Sequence, residues 1–202
     1  MAALGFTHRW LPREGARDTL LLLHGTGGDE NDLLPIGERV APSANLLSPR
    51  GNVLESGMPR FFRRHAEGVL DIEDLKLRAR ELAEFVAAAA KEYGFDAARV
   101  TALGYSNGAN VALGMLFERP GSLRRAVLMR AMLAYEPQEV PLGDVRVLLL
   151  AGAADPYSRA PTTDRLAALL RARGADVTAH YTRAGHELAQ EDLTVATQWL
   201  SA

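Results

Sequence analysis

Apolar runs alternate with amphipathic stretches along most of this chain. Thr19–Leu23 is a near-continuous apolar run ending in His24-Gly25, the pattern of a strand buried on both faces. Asn45–Leu47 is a shorter candidate strand ahead of Ser48-Pro49-Arg50-Gly51. Over 73–93, Leu75, Leu82, Phe85, Val86, Ala89 and Tyr93 recur at helical spacing, and Gly94 stops the helix. A strand over Arg99–Leu103 then leads through the turn Gly104–Gly108 into a helix from about Asn107 to Phe117, halted near Pro120. Ala126–Met129 and Val145–Ala151 read as buried strands, 162–173 as a helix closed by Gly174, and Val177–Tyr181 as the last strand. Residues 187–201 finish as an amphipathic helix through Leu188, Leu193, Val195, Ala196, Trp199 and Leu200.

This alternation predicts an α/β fold: an open, mostly parallel sheet with helices on both faces. Its ligands are expected at the carboxyl ends of the strands. No repeat or linker interrupts 1–202, so one domain is expected. The irregular stretch 48–72, punctuated by Pro49, Gly51, Gly57, Pro59 and Gly68, is long enough to suggest a functional or capping loop.

Composition narrows the function by exclusion. The 202 residues include no cysteine, which removes disulfides, thiolate-bound metals and a Cys nucleophile. A formal charge of -2 with both signs interspersed gives no electrostatic case for nucleic acid or an anionic membrane. The start, Met1 to Trp10, lacks a signal peptide's basic flank and apolar run. No run approaches the roughly 20 apolar residues of a membrane span. A cytoplasmic location is the resulting expectation.

The sharpest chemical signal is Gly104-Tyr105-Ser106-Asn107-Gly108. A Gly-x-Ser-x-Gly pattern alone is loose, but here it lies between a strand and a helix, as a nucleophile elbow requires. The turn lifts the serine hydroxyl to its tip and aims a helix N-terminus at it, where negative charge is favoured. A serine needs a base, and the base an orienting carboxylate. On this architecture they follow in the order serine, acid, histidine. His8, His24 and His65 precede the serine and His180 sits within a strand pattern, whereas His186 follows Gly185 after the last strand and is the expected base. Asp155, leaving the run Val145–Ala151 through Gly152-Ala153-Ala154, is the expected acid. Asp144 and Asp176 precede strands and Asp164 falls in a helix.

An oxyanion needs two pre-aimed backbone donors. The Asn107 amide is one. Thr26, in the loop His24-Gly25-Thr26-Gly27-Gly28, is the expected second. That loop lacks the Gly-Lys-Ser/Thr of a phosphate-binding loop. His24 is expected to brace it, and the acidic run Asp29-Glu30-Asn31-Asp32 to begin a helix. Within 58–68, Met58, Phe61 and Phe62 could offer an apolar face to a pocket, and Arg60, Arg63 and Arg64 a carboxylate or phenolate contact. A solvated basic loop with two core-packed phenylalanines fits the same residues.

These motifs resemble the phospholipase/carboxylesterase family of small serine esterases, over nearly the whole chain. Leu21–Glu30, Leu47–Gly51, Pro59–Arg64 and Gly104–Asn110 carry the likeness. The block Pro59–Arg64 with Glu67-Gly68 is most similar to predicted esterases associated with hydroquinone and ring-cleavage pathways. The resemblance implies an α/β-hydrolase fold without a large cap domain, hydrolysis of carboxylic esters, no cofactor or metal, and often a homodimer. Asn107 stands where the acyl-protein and lysophospholipid branch usually has Gln, and Thr26 where it has Leu. Both exchanges keep the backbone donors but point away from long acyl chains. The expected activity is cleavage of small acyl or aryl esters through an acyl-enzyme on Ser106. The same machinery would serve a lysophospholipid, thioester, lactone or ring-fission product, and a non-catalytic ligand-binding role is a further alternative.

Overall fold

The computed structural model describes residues 4–202. In chain order it forms β1 (His8–Leu11), β2 (Thr19–Leu23), α1 (Leu34–Val40), β3 (Asn45–Pro49), β4 (Val53–Glu55), β5 (Met58–Arg60), β6 (Arg64–Ala66), β7 (Val69–Leu70) and α2 (Ile72–Tyr93). There follow β8 (Val100–Tyr105), α3 (Asn107–Glu118), β9 (Arg125–Met129), β10 (Arg146–Gly152), α4 (Ala160–Ala172), β11 (Asp176–Thr182) and α5 (Gln190–Leu200).

The main sheet has seven strands in the order β1-β3-β2-β8-β9-β10-β11. Only β1 is antiparallel to its neighbour. Burial on both faces explains the unbroken leucines of β2: Leu21 and Leu23 join a core under α2, α3 and α4, while Leu20 and Leu22 join a second core beneath α1 and α5. The chain passes from β2 outward to β3, then returns to β8 on the other side of β2. That reversal opens a crevice between the carboxyl ends of β2 and β8, the usual place for a ligand in such sheets.

Three sequence expectations are corrected in detail. Asp29–Asp32 does not cap α1, whose N-cap is Leu33 with no side-chain bond. Glu30 instead takes both Nε and Nη2 of Arg50 at 2.5 and 2.7 Å, tying this loop to the end of β3. The last helix begins at Gln190 rather than 187, because the Asp192 carboxylate reaches back to the Ala189 N–H (2.7 Å) and fixes the start there. The stretch 48–72 is not irregular: it folds into two small hairpins, β4–β5 and β6–β7, laid over the carboxyl edge. Among the described residues no helix is long and apolar enough to cross a membrane.

Candidate active site

Ser106 sits between β8 and α3 with φ 52° and ψ −111°, a left-handed conformation that non-glycine residues avoid. Its own N–H donates to the Met129 carbonyl (2.9 Å) and its carbonyl accepts from Asn110 N–H (3.0 Å), so both sides of the turn are held. Gly108 shows why the motif excludes side chains here. A Cβ at 108 would lie 2.0 Å from the Leu23 carbonyl oxygen at the end of β2. The bare backbone lets α3 approach the sheet closely enough to point its N-terminus at the serine.

His186 arrives from the loop after β11. Ser106 Oγ–H donates to His186 Nε2 at 2.9 Å, and His186 Nδ1–H donates to Asp155 Oδ2 at 2.9 Å. Because a carboxylate only accepts, Asp155 fixes the proton on Nδ1 and leaves Nε2 as the acceptor facing the serine. Asp155 itself is closely held. Burial pushes its carboxyl up, but hydrogen bonds from the Ser158 hydroxyl (2.6 Å), the Tyr157 amide (2.8 Å), His186 and the Ser158 amide (3.2 Å) outweigh burial. Its pKa therefore lies below the ordinary carboxylate range. The His186 loop also passes directly over the end of β10: a Cβ at Gly152 would meet the Gly185 carbonyl at 2.0 Å.

A cavity of about 310 Å³ opens at Ser106 and His186, lined also by Thr26, Asn107, Asn110, Tyr105 and Met132. The hairpin segment closes one side with Arg60, Arg64, Glu67, Gly68 and Leu70, and Tyr157 closes another. The amides of Thr26 and Asn107 make no backbone hydrogen bond among the described residues, and both residues line the cavity. The loop carrying Thr26 is pinned by Gly27 N–H to the Pro59 carbonyl (2.9 Å) and by His24. His24 donates from Nδ1 to the Gly25 carbonyl (2.6 Å) and accepts Gly51 N–H at Nε2 (3.0 Å). Burial pushes its pKa down, in keeping with this neutral, bracing role.

The pocket residues expected from sequence divide sharply. Arg60 lines the cavity. Phe61 and Phe62 do not: they are 2% and 0% exposed and belong to the core, Phe61 packing on the His24 ring at 4.7 Å between centroids. Met58 stands 41% exposed outside the wall. The reason is the two-residue turn Ser56-Gly57, both at positive φ, which makes 58 the first residue past a hairpin tip.

Sequence reasoning missed Arg130, which follows β9 at φ 58°. Its side chain and that of Asp192 are both 0% exposed. Arg130 donates to both Asp192 oxygens (3.0 and 2.7 Å), to Thr182 Oγ1 (3.3 Å), and to the Leu150 carbonyl (3.1 Å). It also donates to the carbonyls of Gly185 (3.0 Å) and Glu187 (2.8 Å), one on each side of His186. The Tyr105 hydroxyl holds the His186 carbonyl at 3.0 Å. The only sequence signal was a lone arginine ending the buried run Ala126–Met129 at the carboxyl edge.

Known proteins share this architecture. A family model described as phospholipase/carboxylesterase matches residues 11–202. MhqD of Bacillus subtilis (strain 168) is 43% identical over 183 residues, 90% of this chain and 92% of MhqD. The Bacillus cereus carboxylesterase crystal structure is 44% identical with TM-score 0.95, covering 98% of this chain and 94% of its own. The Mesorhizobium loti carboxylesterase structure is 34% identical with TM-score 0.92, covering 100% and 97%.

Proposed function

The chain belongs to the phospholipase/carboxylesterase family and is a hydrolase, and from that premise we propose that it cleaves small acyl or aryl carboxylic esters through an acyl-enzyme on Ser106. The observation that carries this reading is the chain of contacts Ser106–His186–Asp155, both links 2.9 Å, at the floor of the cavity.

Ser106 Oγ attacks the ester carbonyl carbon while its proton passes to His186 Nε2. Asp155 steadies the imidazolium so formed. The carbonyl oxygen gathers negative charge between the amides of Thr26 and Asn107, where the α3 N-terminus adds its partial positive charge. Collapse expels the alcohol or phenol, which leaves with the proton from Nε2. Water then gives a proton to His186 and attacks the acyl carbon, and the carboxylic acid departs as Ser106 is reprotonated. A cavity of about 310 Å³ is near the lower end of small-molecule sites, which favours short acyl and compact leaving groups.

The test is hydrolysis of p-nitrophenyl esters from acetate to palmitate by wild type and Ser106→Ala. Turnover peaking at short chains, with kcat reduced on the order of 10⁶-fold in the variant, is expected. Full activity in Ser106→Ala would overturn the reading. A rise in rate toward palmitate would replace it with a lysophospholipid-type substrate.

A further inference from the structure

Arg60 is a cation buried without full compensation. Its side chain is 3% exposed yet lines the Ser106 cavity. Nε donates to the Phe62 carbonyl (3.1 Å) and Nη1 to Thr26 Oγ1 (2.6 Å). Nη2 has no hydrogen-bond partner among the described residues, so three of the five guanidinium N–H groups are uncommitted. The nearby carboxylate is Glu55, 3.2 Å from Arg60 Nε. Glu55 is already taken by Arg64, whose Nε lies 2.9 and 3.2 Å from its two oxygens. Two guanidinium groups therefore share one carboxylate. Burial, and then repulsion from Arg64, push the Arg60 pKa down. A buried charge in this condition favours an anionic partner.

The rest of the wall is also rich in donors. Asn107 and Asn110 commit their side-chain oxygens to the N–H groups of Phe61 (2.7 Å) and Met132 (2.8 Å). The Asn107 Nδ2 group is buried with no partner among the described residues. Glu67, the wall's one carboxylate, is exposed and accepts the Tyr157 hydroxyl.

We propose that Arg60, with Arg64 beside it, forms an anion subsite in the Ser106 cavity, and that the substrate is an ester carrying its own carboxylate a few bonds from the scissile group. This deepens the esterase reading and rests on it. A guanidinium's paired N–H groups match a carboxylate's two oxygens, and Arg60 is held beside Thr26, which the proposed mechanism sets at the reacting carbonyl. The carboxylate sits on the acyl part, as in a half-ester of a short dicarboxylic acid, or on the leaving group, as in an acylated hydroxybenzoate. Both present the same chemistry to Arg60.

The experiment compares matched charged and neutral esters. For the acyl source, p-nitrophenyl hydrogen glutarate is set against p-nitrophenyl methyl glutarate. For the leaving-group source, 3-acetoxybenzoate is set against 3-acetoxybenzamide. The expected charged-to-neutral ratio of kcat/KM is about 10- to 100-fold for one pair, the value of a hydrogen bond to a charged group. The ratio should fall toward one in Arg60→Met, fall less in Arg64→Met, and shrink with added salt. Because each ratio is taken on one variant, a general loss of activity cancels. Calorimetry of monomethyl glutarate with Ser106→Ala, and with Ser106→Ala/Arg60→Met, reads binding without turnover. Binding that vanishes with Arg60 is expected. Ratios near one in the wild type with normal Ser106-dependent turnover, or equal binding by both proteins, would overturn the subsite and leave the esterase standing. Absent turnover of every ester would instead count against the esterase reading, while the binding arm still decides the subsite.

Discussion

Two buried arginines, Arg130 against the His186 loop and Arg60 beside Thr26, are in opposite states. Arg130 has every guanidinium N–H engaged, faces an Asp192 carboxylate shared with no other cation among the described residues, and grips the two carbonyls that flank His186. Arg60 has donors left over, shares Glu55 with Arg64, and borders a cavity. Saturation makes Arg130 part of the frame, since nothing remains for a ligand to satisfy. Deficit suits Arg60 to receive a ligand, since it borders the cavity with N–H groups that no described protein atom takes up. Burial alone does not separate the two roles; the count of uncommitted donors does.

The sharpest break in this contrast is Arg130→Met. Leaving Asp192 buried and unpaired is expected to cost about 3–5 kcal/mol. For a chain of this size that corresponds to a fall in Tm of roughly 6–20 °C, read by calorimetry. The double variant Arg130→Met/Asp192→Leu removes both charges and should recover much of that loss. Its kcat should stay low with KM little changed, because the carbonyls of Gly185 and Glu187 still lack their donor and His186 keeps only its Tyr105 and Asp155 contacts. Full recovery of kcat would reduce Arg130 to a stability device.

A smaller effect is expected on the acid side. Ser158→Ala removes the hydroxyl that, among Asp155's hydrogen bonds, does most to hold its pKa down. A depressed folded pKa stabilises the protein above the unfolded value, and that contribution is lost as pH falls through the folded one. Removing the hydroxyl raises the folded pKa, so the loss of stability should begin at a higher pH than in wild type. A pH series of melting temperatures checks this. Coincident acid limbs would mean that the remaining amide and imidazole donors suffice.

How far the sequence disclosed these features depends on the range over which each is determined. The parallel strands of the main sheet were legible because runs such as Leu20–Leu23 carry their burial locally, whereas β1 and the short hairpin strands β4–β7 were not; the Ser106 turn was legible because glycine, serine and glycine fall within five residues. Phe61 and Phe62 were open to two readings, since hydrophobicity does not tell a pocket wall from a core; the turn at Ser56-Gly57 decides it. Asp29–Asp32 resembled helix-start chemistry, but Arg50, some twenty positions onward, claims Glu30. Arg130 was opaque because its partners lie 20 to 62 residues away and are assembled only when β9, β10, β11 and α5 come together.

The wall formed by residues 53–70 has a consequence for how such an enzyme could change over evolutionary time. Ser106, Asp155 and His186 are drawn from three distant parts of the chain, whereas Arg60, Arg64, Glu67, Gly68 and Leu70 come from one short contiguous stretch. Beside the cavity floor that stretch is stitched down by Pro59 to Gly27 and by Phe61 to Asn107. A recombination or small insertion between or beyond those stitches could exchange this face of the cavity in a single event while Ser106, Asp155 and His186 are inherited in place.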